Sequence, residues 1–118
     1  MINCNEYHEA VMRTAPKSDS GYDGLLNGVM GLCGESGEAI DLVKKFMFQG
    51  HELEREKLAF ELGDILWYLD FTATQIGYTL PELMWMNKKK LEKRYPTGFD
   101  AQHSIHRPEY EVKHEDSV

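Results

Sequence analysis

The apolar residues of this chain recur at helical spacing and show no convincing strand alternation, which leaves few architectures open. From about Tyr22 to Phe48, the residues Leu25, Val29, Leu32, Cys33, Ile40, Val43 and Met47 make one stripe of period 3.6. From about Glu52 to Ile76, Leu58, Leu62, Ile65, Leu66, Leu69, Ala73 and Ile76 make another. Gly50 and Gly77 stand where these two helices must end. A shorter helix, about Asn5 to Thr14, precedes them across the turn-rich stretch "TAPKSDSGYDG". A fourth opens at "TLPE", with Thr79 as N-cap, Pro81 in the first turn and Glu82 completing a capping box. It runs to about Tyr95, where "YPTGF" stops it. Residues 100–118 hold no sustained period and are expected to form an irregular C-terminal arm. The class is all-α: one domain over residues 1–118, a compact bundle of about four helices.

A chain of 118 residues can build one core and not two. Its net charge of -7 argues against duplex nucleic acid and anionic membranes as partners, because both reward excess Lys and Arg. The charge does not exclude a small anionic substrate, since a bound divalent cation reverses the local field. Cys4 and Cys33 are too few for a disulfide framework and read as reduced thiols of a cytoplasmic protein. The first residues, "MINCNEYHEA", lack the basic and apolar regions of a signal peptide. No apolar run approaches the roughly 18 residues of a membrane span.

Two acidic pairs stand out. On a helix, positions i, i+3 and i+7 share a stripe. Glu35 and Glu38, continued by Leu42 and Lys45, make such a stripe on the second helix, away from its apolar face. Gly28 and Gly31 extend it toward the N-terminus. On the third helix Glu61, Asp64 and Tyr68 match it, beside a second apolar face of Phe60, Trp67 and Phe71. Each pair sets two carboxylates roughly 5–6 Å apart at Cβ. Alone they repel, and together they suit a hard divalent cation that takes oxygen ligands. Acidic residues on helices are usually just solvated, so a single pair means little. Two pairs at equal spacing on consecutive helices mean more. On the fourth helix Asn87, Lys90 and Arg94 share a stripe that suits phosphate oxygens. A basic helix end that complements the macrodipole is the plainer account of those cations.

In order and spacing, "GLCGESGEAIDLVKK", "ELGDILWYL" and "NKKKLEKRYPTGF" resemble the MazG-like nucleoside triphosphate pyrophosphohydrolases, from about Leu26 through Phe99. The resemblance implies an all-α fold and Mg²⁺-dependent hydrolysis of a (d)NTP between its α and β phosphates, with Mn²⁺ as a substitute ion. It implies Glu35, Glu38, Glu61 and Asp64 as metal-binding and catalytic acids, with Glu61 either a ligand or the group that holds the attacking water. Asn87, Lys90 and Arg94, and with them Lys45, become the expected triphosphate contacts. The resemblance also favours homodimers or homotetramers. One departure is Gly34, where the longer family motif has a further glutamate.

Other classes fit less well. A di-iron carboxylate bundle needs His three residues after Glu, and neither pair has it. His8, His51, His103, His106 and His114 form no matched helical pair. A catalytically silent metal-binding or protein-interaction module of the same fold is the main alternative. The Phe60, Trp67, Phe71 face bears on it, since it must pack under the first helix or the arm, or against another subunit. Trp67, Tyr68, Trp85 and Tyr95 are the rings available to stack a base.

Overall fold

Asn3 starts the first helix as a side-chain cap: its Oδ1 accepts from the Glu6 N–H at 2.9 Å, and its Nδ2 donates to the Glu6 carboxylate at 3.0 Å. The computed structural model describes residues 1–17 and 21–107, at 21 and 22 the backbone alone. Within it lie α1 (Cys4–Thr14), α2 (Gly21–Phe48), α3 (Arg55–Gln75), α4 (Leu80–Arg94) and α5 (Ala101–Ile105). No strand occurs among the described residues, so the all-α expectation stands. None of the helices is long and apolar enough to cross a membrane.

The end of α3 is a Schellman motif. Gly77, at φ +83, lets the Tyr78 N–H reach back to the Ala73 carbonyl at 2.9 Å while its own N–H binds Thr74 O at 3.1 Å. One short helix was not expected. Where an irregular arm was read from residue 100, Asp100 caps α5 by accepting from the Gln102 and His103 N–H groups. The arm beyond residue 107 lies outside the described residues.

The chain divides into two units, Met1–Leu80 and a second from Pro81 onward. In the first unit α2 and α3 pair along their small and acidic stripes. A Cβ at Gly24 would strike Gln75, one at Gly28 would strike Thr72, and one at Gly31 would overlap the Tyr68 ring. At Gly28 the neighbour is Thr72 backbone as well as side chain, so there the two helices approach more closely than a larger residue permits. The stripes expected to form the core are only partly covered: in α2 Val29, Cys33, Ile40 and Met47 are exposed while Leu25, Leu32 and Val43 are half-buried. In α3 Leu62, Leu66, Leu69 and Ile76 are exposed while Ala73 is buried and Leu58 and Ile65 are half-buried. This corrects the expectation for the exposed members, and the cause is simple. Close approach through glycine turns the small stripe inward and leaves part of each apolar stripe outside.

α1 covers the other side of α3. The Trp67 indole donates to Thr14 Oγ1 at 2.8 Å, His8 Nδ1 meets Asp70 Oδ2 at 2.9 Å, and the Tyr7 hydroxyl donates to Gly63 O at 3.5 Å. Burial, then the charges of Asp70 and Asp64, push the Tyr7 hydroxyl above its ordinary pKa, so it stays a donor. Val11 and Phe71 are buried, and Trp67 stacks on Phe71 with centroids 5.2 Å apart. The second aromatic face of α3 thus packs beneath α1 at Trp67 and Phe71, while Phe60 stays exposed.

Gly28→Ala is expected to destabilise the first unit by about 1–3 kcal/mol, since the new methyl meets Thr72 backbone and side chain together. Gly63→Ala, whose Cβ meets nothing within 4 Å, should instead stabilise by about 0.5–1 kcal/mol through helix propensity. Urea unfolding of both variants checks this. Equal effects would sink the close-approach account.

Candidate metal centre

The antiparallel pairing of α2 and α3 brings Glu35, Glu38 and Glu61 together. One carboxylate oxygen from each lies within 4.8 Å of the others. Glu35 and Glu61 are half-buried and Glu38 is exposed. Glu35 Oε2 and Glu61 Oε2 are buried without a hydrogen-bond partner. Buried oxygens that no donor reaches are costly, and acceptor-only groups facing one another can be satisfied by a proton or a cation alone. The first cost is visible at Glu61. The adjoining Glu35 carboxyl raises its pKa above the ordinary glutamate value, and burial and the charges of Glu35 and Asp64 add to this. Glu38 works in the opposite direction.

The donor set fits a hard divalent ion. Three carboxylates from two rigid helices supply oxygen ligands and leave positions for water or phosphate, as Mg²⁺ prefers. Asp64 is not one of the three. It borders a different cavity, of about 440 Å³, together with Glu35, Trp67 and Tyr68. A second cavity, of about 530 Å³, is lined by Gly34, Gly37, Glu38, Asp41, Leu42 and Glu61.

The expected phosphate contacts sit less simply. Lys45 is engaged by Asp41, with Nζ to Oδ2 at 2.8 Å, and that hydrogen bond raises the Lys45 pKa and lowers that of Asp41. Such an exposed i,i+4 pair is weak enough for a phosphate to displace. Asn87, Lys90 and Arg94 belong to the second unit. Asn87 and Lys90 are exposed, and Asn87 lines a hollow of about 530 Å³ with Met84, Lys88 and Leu91. Arg94 is buried, its guanidinium 5.8 Å from the Tyr95 ring centroid. Sequence reasoning missed Asn27 and Thr14, which border the cavity beside Asp64. Asn27 falls one residue short of the glycine stripe, so spacing alone offered only a faint signal.

Mg²⁺ added to the protein is expected to raise its melting temperature near neutrality and to do so less in mildly acidic buffer. Glu61 has a raised pKa, so on acidification it takes up a proton before an ordinary glutamate would, and a cation must then expel that proton to bind. At saturation near 100 times Kd the gain approaches about 2.7 kcal/mol. Thermal melts with and without Mg²⁺ in the two buffers measure it, and an identical shift in both would count against the carboxylate trio as the site.

The MazG nucleotide pyrophosphohydrolase domain matches residues 26–99. The chain is also similar to the Gene 37 protein of Mycobacterium phage L5, at 35% identity over 80 residues, which cover 64% of this chain and 70% of that one. No solved structure matches.

Proposed function

Because the chain belongs to the MazG nucleotide pyrophosphohydrolase family, we propose that it hydrolyses a (d)NTP between the α and β phosphates to the monophosphate and pyrophosphate. The observation that carries this reading is the convergence of Glu35, Glu38 and Glu61 around two buried, partnerless carboxylate oxygens. Those three residues would hold the metal, Mg²⁺ by preference or Mn²⁺ in its place. When bound, the ion supplies charge neutralisation on non-bridging phosphate oxygens. Asp64 lies outside the trio yet close enough for its charge to be felt at Glu61. In our reading it is the residue left to orient and deprotonate the attacking water. Lys45 is the first unit's cation offered to the triphosphate, and to reach it Lys45 must exchange Asp41 for phosphate.

The exposed apolar residues of α2 and α3 support assembly as a homodimer or homotetramer. Ile40, Met47, Phe48 and Phe60 are each more than 60% exposed, and the first three line one hollow on α2. The acidic net charge supports a small-molecule substrate over duplex nucleic acid, and the thiols Cys4 and Cys33, which form no disulfide, support a cytoplasmic setting.

The test is pyrophosphate release from a panel of NTPs and dNTPs, with Mg²⁺ and with EDTA. Metal-dependent release with the monophosphate as co-product is the expected result. An absence of release from every nucleotide would overturn the enzymatic reading and favour a catalytically silent module of the same fold.

A further inference from the structure

Asp70 is 1% exposed, yet the ring that reaches it from α1, His8, keeps 40% of its side chain in solvent. His8 Nδ1 lies 2.9 Å from Asp70 Oδ2. An ionised carboxylate only accepts, so Nδ1 carries the proton, and in the neutral ring Nε2 keeps its lone pair. A histidine whose other ring nitrogen donates to a carboxylate is the arrangement in which proteins present imidazole to a metal ion.

A second donor stands beside it. Cys4 precedes His8 by one helical turn on α1, so the two share a face. A helical side chain leans over the turn on its N-terminal side, which carries the His8 ring toward Cys4. Cys4 is half-buried and forms no disulfide. The local field favours a cation. Burial first, then the charges of Asp70 and Asp64, raise the pKa of the neighbouring Tyr7 hydroxyl. One sulfur and one imidazole nitrogen suit Zn²⁺ far better than Mg²⁺, which takes oxygen ligands.

We propose that Cys4 Sγ and His8 Nε2 form a second metal site, for a borderline-soft divalent ion such as Zn²⁺, with water completing its shell. On binding, the thiol proton leaves to solvent and the ion takes the thiolate and the Nε2 lone pair. Asp70 is a positioning residue that holds the ring through Nδ1. The site shares no ligand with the carboxylate trio and does not depend on the nucleotide reading. Its consequence is mechanical. An ion on Nε2 polarises the ring, strengthens the Nδ1–H donor toward Asp70, and so fastens α1 to α3.

Co²⁺ is the probe, because a thiolate bound to it gives a charge-transfer absorption that carboxylates do not give. The chain has two cysteines, so a Cys33→Ser background leaves Cys4 alone. In that background the absorption should appear saturably, yield to Zn²⁺ and persist in excess Mg²⁺. Cys4→Ser with Cys33 intact should abolish it, and Glu38→Gln should leave it unchanged. His8→Gln, whose amide can still donate to Asp70, should weaken Co²⁺ binding. Asp70→Asn should weaken it about 10- to 100-fold, the worth of an outer partner of a metal ligand. Zn²⁺ should also raise the melting temperature of the parent and leave that of Cys4→Ser where it was. No thiolate absorption in the Cys33→Ser background would overturn the site, and so would an equal Zn²⁺ shift in Cys4→Ser. Undiminished Co²⁺ affinity in His8→Gln would overturn it as well. Undiminished affinity in an Asp70→Asn variant with unchanged circular dichroism would strip Asp70 of its positioning role.

Discussion

Glu38→Gln is expected to lower turnover by ~100-fold or more, since even the outer partners of metal ligands are worth about 10- to 100-fold. The side chain keeps its length and shape, and Gln and Glu have nearly equal helix propensity, so circular dichroism should not change. The change swaps one ionic oxygen of the trio for an amide, whose nitrogen is a donor and cannot bind a cation. Without metal the variant should be about as stable as the parent, because Glu38 is exposed and the new side chain keeps its length and shape. Its melting temperature should then respond little to Mg²⁺. That combination, an unharmed fold with activity and metal response both lost, separates a ligand from a packing residue. Full retained activity would remove Glu38 from the site.

Much of this was legible in the residues. Helix number and approximate ends followed from period, from glycine after α2 and α3, and from the Thr79–Pro81–Glu82 start of α4. The acidic pairs were legible because i, i+3 spacing fixes a shared stripe whatever the partner. What the pattern hid was which stripe faces in. Hydrophobic periodicity nominates the apolar face as core, yet Gly24, Gly28 and Gly31 draw α2 onto α3 along the polar side. Part of the apolar face is then left outward, where a second copy of the chain is our proposed cover. Single-chain reasoning has no way to weigh a surface that only another subunit buries. The division of labour among the acids was hidden for a related reason. Asp64 and Glu61 are one helical turn apart, and small differences in crossing geometry decide which of them joins Glu35 and Glu38. The short helix α5 was the avoidable miss, since an aspartate at its cap is a readable signal.

The His8–Asp70 contact shows the limit most clearly, because the two residues are 62 positions apart and neither belongs to a motif. Asp70 is 1% exposed, and His8 approaches it from α1 with 40% of its own side chain in solvent. His8→Ala should destabilise the first unit by about 2 kcal/mol, because it leaves a buried carboxylate without this partner. That corresponds to a drop of ~8–16 °C in melting temperature for a unit of this size. The partial exposure of His8 keeps the expected loss below the ~3–5 kcal/mol of a fully buried broken pair. Gly63, Trp67 and Asp70 share one stripe of α3, and Tyr7, His8 and Thr14 meet them from α1, so the helix is stitched down at three points. Loss of the His8 stitch should accelerate amide exchange in α1 more than in α2. It should also loosen the Thr14 hold on the Trp67 indole, while the metal response of the trio persists. Combining His8→Ala with Asp70→Asn, which removes the buried charge, should cost less than the sum of the two. A His8→Ala variant within 0.5 kcal/mol of the parent, or strict additivity in that double-mutant cycle, would show that α1 is held by Val11 and its apolar neighbours instead.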